Sequence, residues 1–385
     1  MKNENLQFYA TTFPNLEIFL EKELKRSRIN KIRIHDAVIF FDASLEQAID
    51  FMFNSRVCNY CSLIIFRKTL NSIDELYYSG RNEIKWDAYF TLDKTFAIHS
   101  TVIASPAFKH SGFAGLKLKD SIADYFRAKY NDCRPNVDKE NPDTLIELRI
   151  FKNNALIAVS LNGMALFKRG YRIETNAAPL KETLAAGISY YILKNSRNKD
   201  FRKIIDPMCG SGTLIIETTL NLLSIPPSMP ERKFGFEKLN LQTANIIDKI
   251  RNVNAKKINI RNDFQISAAD NTENFCCLTE KNIENAGLKN VIKVFVQDFF
   301  KPELDMTESI IIFNPPYGER MYKASDVQKF YQKIGLTLKE YCQKSVIYIF
   351  CPSEKNIIDS IGIKPDDSIK LFNGKIVCNL LEFRL

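Results

Sequence analysis

Apolar positions along this chain recur at two spacings, near two and near 3.6 residues, and the alternation between them sets the expected elements. Residues 6–10 read as a short strand, and residues 16–26 as a helix with Leu16, Phe19, Leu20 and Leu24 on one face. Acids come early in that helix and bases late, as its dipole prefers. Residues 31–41 alternate as one strand, and residues 45–54 read as a second helix. Strands follow at 63–70 and 95–102, with a helix at 74–84 between them. Lys117-Leu118-Lys119-Asp120 opens a stronger helix running to about residue 130, with Leu118, Ile122, Tyr125 and Phe126 on one face. Residues 145–150 and 155–161 form a hairpin around Lys152-Asn153-Asn154.

Beyond residue 170 strands and helices alternate, the pattern of a mostly parallel α/β sheet. Ala178-Pro179-Leu180-Lys181-Glu182 is a helix start, with Pro179 in the first turn. A strand at 201–205 enters Asp206-Pro207-Met208-Cys209-Gly210-Ser211-Gly212-Thr213, and a helix at 214–223 leaves it. Residues 224–262, with Pro226-Pro227 and a charged helix near 241–252, read as an insertion. Further strands are expected at 264–269, 291–296, 309–313 and 345–350, and helices at 272–286 and 326–341, with Gly287 as a C-cap. Asn373-Gly374, inside residues 370–377, favours a type I′ hairpin, so two antiparallel strands should close the sheet.

The chain of 385 residues exceeds a typical single domain and implies two or three. A net charge of +9, spread over both halves, favours a polyanionic partner. With no long basic tail, folding must assemble any such surface. Nine cysteines, an odd number in a chain large enough to build its own core, point to a reducing cytoplasm over a disulfide framework. Cys58-Asn59-Tyr60-Cys61 has no second such pair, and His35, His99 and His110 lie far apart, so no metal site is expected. No signal-peptide pattern opens the chain and no apolar run reaches membrane length, so a soluble cytoplasmic protein is expected.

The candidate chemistry sits at strand ends, where open α/β sheets bind ligands. Asn314-Pro315-Pro316-Tyr317 closes the run Ser309-Ile310-Ile311-Ile312-Phe313. An amide oxygen, carbonyls left free by two prolines, and a ring suit a planar base with an exocyclic amine; the bland reading is a turn with a solvated Asn. The Gly210-Ser211-Gly212 turn lacks the third glycine of the dinucleotide fingerprint and the Lys-Ser/Thr of a phosphate-binding loop. Its leading acid, Asp206, would repel phosphate and suits a cationic amino-acid end, a description that fits S-adenosylmethionine. Asp270 is placed to hold ribose hydroxyls, and Asp298 to accept from an adenine amine. Each acid alone reads equally as a turn residue. Lys168-Arg169-Gly170-Tyr171-Arg172 fits either phosphate and base contacts or a solvated connector.

Together these residues resemble the class I S-adenosylmethionine-dependent methyltransferases whose fourth-strand motif is Asn/Asp-Pro-Pro-Tyr. More narrowly, the chain is similar to the bacterial THUMP-domain RNA guanine-N2-methyltransferases of large-subunit rRNA type, over nearly its whole length. Phe8-Tyr9-Ala10-Thr11, Lys117-Leu118-Lys119-Asp120, Arg134-Pro135, Pro179-Leu180-Lys181-Glu182, the Asp206–Thr213 loop and Asn314-Pro315-Pro316-Tyr317-Gly318-Glu319-Arg320 carry the likeness. Asn15 stands where a Gly is expected, Met208 where Phe is common, and Leu161-Asn162-Gly163-Met164 blurs an Asp/Ser-containing stretch.

The resemblance implies a ferredoxin-like domain at residues 1–62, a THUMP RNA-binding domain at 63–165 and a Rossmann-like methyltransferase domain at 166–385. That last domain should have a seven-stranded sheet with its last strand antiparallel. It places the catalytic groups at Asn314, Pro315, Pro316 and Tyr317. Cofactor contacts are expected from Glu182, Asp206, Cys209, Gly210, Ser211, Gly212, Thr213, Asp270, Asn271, Asp298 and Phe299, and RNA contacts from Lys117, Lys119, Lys168, Arg169, Tyr171 and Arg172. With one methyltransferase segment, one reaction is expected: methylation of a guanine N2 in structured RNA, 23S rRNA first and tRNA second. DNA adenine-N6 or protein glutamine methylation, and a non-enzymatic RNA-binding or assembly role, are the rival readings.

Overall fold

The computed structural model describes residues 5–173, 180–195, 201–227, 232–241, 243–255, 263–317 and 324–385; Pro179 and Gly318-Glu319-Arg320 lie outside these. The amino-terminal strands are β1 (Leu6–Thr11), β2 (Lys31–His35), β3 (Val38–Ala43), β4 (Tyr60–Thr69), β5 (Phe96–Ile103), β6 (Thr144–Phe151) and β7 (Asn154–Ser160). They form one seven-stranded sheet in the order β2-β3-β1-β4-β7-β6-β5. The helices are α1 (Glu17–Arg26), α2 (Leu45–Asn54), α3 (Ile73–Asn82) and α4 (Ser111–Lys129). Phe8, Phe41 and Leu63 share a core with α1 and α2, while Leu148, Ile150 and Ile157 pack with α3 and α4. The opposite face carries a small cluster of Tyr9, Leu156 and Ala158, with Val38, Phe40 and Ile64 against it and no helix residue among them.

Three expectations change here. The single strand over 31–41 is a hairpin, because Asp36 adopts a left-handed φ of 47° and pairs His35 opposite Val38. No break occurs after residue 62: β4 pairs with β1 through Tyr60–Leu63 and with β7 through Ser62–Thr69, so the first two units share a sheet. Helix α4 starts six residues before Lys117, taking in two glycines that pattern alone disfavours. Gly115 is required there, since a Cβ would stand 2.7 Å from Ser100 Oγ on β5.

The second sheet contains β8 (Lys203–Asp206), β9 (Gln265–Asp270), β10 (Ile292–Val296), β11 (Ser309–Phe313), β12 (Val346–Pro352), β13 (Asp367–Asn373) and β14 (Ile376–Arg384). Their order is β10-β9-β8-β11-β12-β14-β13, with β14 alone antiparallel to its neighbours. The edge strand β13 therefore runs parallel to the central strands, and the last strand, β14, is the antiparallel one, as expected. The loop of that hairpin is Gly374-Lys375, with positive φ at Gly374 only. That is the glycine-first arrangement of a type II′ turn, displaced by one residue from the type I′ reading.

Around this sheet lie α5 (Glu182–Asn195), α6 (Thr213–Leu222), α7 (Ala244–Ala255), α8 (Glu273–Asn285), α9 (Ala324–Tyr341) and the unanticipated short α10 (Lys355–Ser360). Both faces of the central strands are buried, which explains their continuous apolar runs. On β11, Ile310 and Ile312 join the core that includes the amino-terminal unit, while Ile311 and Phe313 join the core under α9. The insertion before β9 packs back onto the amino-terminal half. Phe234 lies against Phe53 with ring centroids 5.5 Å apart, Phe236 N–H donates to Leu161 O, and Lys249 pairs with Glu46 at 2.5 Å.

All nine cysteines are free, with Cys58 and Cys61 buried, and burial pushes both of those thiols up. Among the described residues no helix is long and apolar enough to cross a membrane.

Candidate active site

Strands β8, β9 and β11 deliver Asp206, Asp270 and Asn314 to the same end of the sheet, and Asp298 lies two residues beyond β10. A cavity of about 720 Å³ opens there, a size suited to a nucleoside-scale ligand. Its wall brings together Asp206, Cys209, Gly210, Ser211, Thr213, Asp270, Asn271, Asp298, Phe299, Asn314 and Pro316 from the sequence-based set. Glu182, Gly212, Pro315 and Tyr317 are not on that wall.

The loop after β8 is held from several sides. Cys209 N–H donates to Ala269 O across 2.9 Å, and Gly210 N–H donates to Asp270 Oδ2 across 3.0 Å. Gly210 and Gly212 both take positive φ, 53° and 76°. A Cβ on Gly212 would stand 2.9 Å from Thr279 Cγ2, whereas one on Gly210 would meet nothing within 4 Å. Gly212 thus serves packing, and Gly210 leaves the loop backbone open. From α8, Thr279 Oγ1 donates to Gly210 O (2.8 Å) and Asn282 Nδ2 donates to Ser211 O (2.9 Å). Neither brace was expected from the sequence, although a Thr and an Asn three residues apart on a helix is a readable signal.

Electrostatically the cavity prefers positive charge. Burial pushes the Asp206 carboxyl well above the usual carboxylate range, against the hydrogen bond from Met208 N–H and with a contribution from Asp270. Burial also raises Asp270, opposed by hydrogen bonds from Gly210 and Thr272. A cation beside them would restore both to their charged forms. Phe299 is 3% exposed, its ring 5.3 Å from Phe313 and 5.5 Å from Phe300. Phe275, Phe300 and Phe330 complete an aromatic side that the hydrophobic pattern does not announce.

Asn314, also on the cavity wall, has a buried Oδ1 with no hydrogen-bond partner among the described residues. A buried amide oxygen left unpaired costs about 1–3 kcal/mol, so the position is one that a ligand donor would satisfy. The hydroxyl of Tyr317, just beyond Pro316, accepts from Asn373 Nδ2 at 2.9 Å.

The expected RNA contacts divide. Lys168 is exposed, Lys117 Nζ lies 5.7 Å from the Tyr77 ring, and Lys119 pairs with Asp120 at 2.7 Å. Arg169 and Tyr171 are each 1% exposed and do not reach the surface, which corrects their assignment. Arg169 lies 3.5 Å from Glu217 and donates to Leu166 O and Arg56 O, while Tyr171 OH donates to Glu217. Arg172 donates to Leu180 O and Thr213 Oγ1 and faces Glu182 at 3.8 Å. Burial raises the Glu182 carboxyl, and Arg172 opposes that rise. This segment therefore locks the junction onto α6 and supports the glycine loop from behind.

The 3-2-1-4-5-7-6 order with its reversed seventh strand, and a ligand cavity over the first and fourth strands, define a class I methyltransferase fold. Residues 169–382 match the family described as the RMKL-like methyltransferase domain, and residues 71–160 match the THUMP domain. The chain belongs to that RMKL-like family. It is 32% identical over 386 aligned residues to the ribosomal RNA large subunit methyltransferase K/L of Psychromonas ingrahamii, an alignment covering 99% of this chain and 50% of that protein. The chain thus spans about half the length of the curated relatives it matches. Among solved structures, SMU.472 complexed with SAH is similar with a TM-score of 0.86 at 23% identity, over 99% of this chain and 98% of that one. A Clostridium difficile 630 protein described as a possible methylase gives 0.84 at 26% identity, over 99% and 98%.

Proposed function

We propose that this protein transfers a methyl group from S-adenosylmethionine to the exocyclic N2 amine of a guanine in structured RNA, with large-subunit rRNA as the substrate class. The observation that carries this reading is Asn314 Oδ1, a buried acceptor without a partner among the described residues, on the wall of a cavity that the glycine loop also lines. The relatives named as rRNA methyltransferases and the THUMP match support RNA as the substrate. The cell interior, where rRNA resides, is the compartment this reading requires.

The residues present fit the cofactor by chemistry. Gly210 and Ser211 with Asp206 suit its amino-acid end, Asp270 and Asn271 its ribose hydroxyls, and Asp298 and Phe299 its adenine. When bound, S-adenosylmethionine supplies an electrophilic methyl group on a sulfonium. The chain's part is alignment. A guanine N2 lone pair is delocalised into the ring, so the amine must be held and turned. Asn314 Oδ1 accepts one of its hydrogens and so holds the nitrogen on the cofactor side. Positioning of this kind contributes several kcal/mol to barrier lowering, on the order of 7–11 at most. Tyr317 offers a ring face to the base, which must leave its stack to enter.

Purified protein incubated with methyl-labelled cofactor and unmodified large-subunit rRNA should yield N2-methylguanosine by nucleoside mass spectrometry. Label in N6-methyladenosine instead, or no transfer with bound cofactor, would overturn the assignment.

A further inference from the structure

The helix-free face of the amino-terminal sheet carries cations stacked on aromatic rings in a line leading to the cavity. Arg67, exposed on β4, places its guanidinium 5.0 Å from the Phe40 ring centroid. Phe40 lies 6.1 Å from Tyr9, and Arg149 covers Tyr9 at 5.3 Å. Neither arginine forms a salt bridge among the described residues. The acid beneath them, Glu147, is 7% exposed and is engaged by Tyr9 and Ser62 hydroxyls.

Strand register extends this line. Tyr60 lies two residues before Ser62, which pairs with Tyr9, so all three share the face. Tyr60 meets Phe167 edge-on at 6.4 Å, and Lys181 sits 4.6 Å over Phe167 and 5.6 Å from Phe13. Leu180, immediately before Lys181, lines the cavity. Rings and cations from separate parts of the chain therefore succeed one another from the sheet to Lys181, next to the cavity-lining Leu180.

We propose that this face is a track for an unpaired RNA segment, with Arg67 and Arg149 at its far end and Phe167 and Lys181 delivering the strand to the cavity. The proposal rests on the reading of RNA as substrate and locates where that RNA lies. Charge complementarity selects the occupant. Guanidinium planes already backed by rings offer their outer faces to bases and their N–H groups to phosphates, and interleaved rings and cations hold single strands without sequence readout. The sequence pattern points instead to α4, on the helix-covered side, and to Arg169 and Tyr171, which are buried.

The test is binding of the full chain to a short labelled single-stranded RNA containing guanine, titrated across salt. Arg67→Ala with Arg149→Gln should weaken binding at least about tenfold, and the logarithmic salt slope should flatten by about 0.7 for every phosphate that is no longer neutralised. Lys181→Ala should act in the same direction. Arg67→Ala alone, at an exposed position, keeps the test decisive should the double variant fold poorly. Cofactor affinity should not move. Lys117→Ala with Lys119→Ala, on α4, should leave RNA binding unchanged. Wild-type binding that survives the Arg67 and Lys181 substitutions with an unaltered slope would overturn the track while leaving the RNA reading intact. So would a preference for duplex RNA. Absence of any RNA binding by the wild-type protein would overturn the RNA reading, and the track with it.

Discussion

Asn373 donates its side-chain amide to the Tyr317 hydroxyl across 2.9 Å, tying the β13–β14 hairpin tip to the loop that ends β11. The two residues are far apart in sequence, and they meet because β14 returns antiparallel between β12 and β13. Tyr317 therefore has its ring held from its distal end. A single hydrogen bond of this kind is worth about 0.5–1.5 kcal/mol. Asn373→Ala should accordingly lower kcat/KM for RNA by about 3- to 10-fold, and by less in a Tyr317→Phe background. Cofactor affinity by calorimetry should stay at the wild-type value. A fully additive double variant would show that this hydrogen bond does not position the ring.

Asn314 offers the sharper test. Its Oδ1 lacks a protein partner among the described residues, so replacing it disturbs little of the fold while removing the acceptor for the amine. Asn314→Ala should reduce single-turnover methylation by about 100-fold or more, with cofactor affinity within a few-fold. Single-turnover rates measured at saturating RNA distinguish this from weakened binding. Wild-type rates would remove Asn314 from the reaction.

The methyltransferase half was largely legible because its central strands are buried on both faces and end in polar residues. Asp206, Asp270 and Asn314 could be read as strand tips, and the structure gathers them around one cavity. The connector was not legible. In Lys168-Arg169-Gly170-Tyr171-Arg172 the charges read as surface, yet Arg169 and Tyr171 are inside because Glu217 on α6 provides a buried carboxylate partner. That pairing joins residues distant in the chain and leaves no local period. The same holds for Asp36, where a left-handed turn interrupts an unbroken alternation.

The Arg169–Glu217 pair should be structural. Both side chains are completely excluded from solvent, 3.5 Å apart. Removing one member leaves an uncompensated buried charge, which costs about 3–5 kcal/mol. Arg169→Ala should thus lower the melting temperature by several degrees, and Arg169→Met with Glu217→Leu should recover much of that stability. RNA affinity of whatever protein remains folded should match the wild type.

Gly212 holds a left-handed conformation that a side chain would strain. Its φ is 76°, and a Cβ would press within 2.9 Å of Thr279 Cγ2. Gly212→Ala should displace the glycine loop and weaken cofactor binding by about tenfold or more, since a left-handed non-glycine residue alone costs on the order of 1–2 kcal/mol. Pairing it with Thr279→Ser relieves the crowding but not the φ, so recovery should be partial. Complete recovery in calorimetry would show that crowding alone, without backbone conformation, limits the site.

Acid should loosen the THUMP side of the first sheet through Asp87. Asp87 lies beneath α4; burial raises its pKa, but hydrogen bonds from Lys129, Tyr125 and Tyr130 outweigh that and bring it down to about 2. A carboxyl depressed in the folded state contributes stability that is fully present above its unfolded value and fades as pH falls through the folded one. The contribution should therefore hold above pH of about 4 and fade toward about 2. Amide hydrogen exchange read at intervals across that window should show protection in α4 falling with pH. Asp87→Asn should begin less protected at neutral pH and show a flatter decline. An identical pH profile in the two proteins would assign the acid sensitivity to other carboxylates.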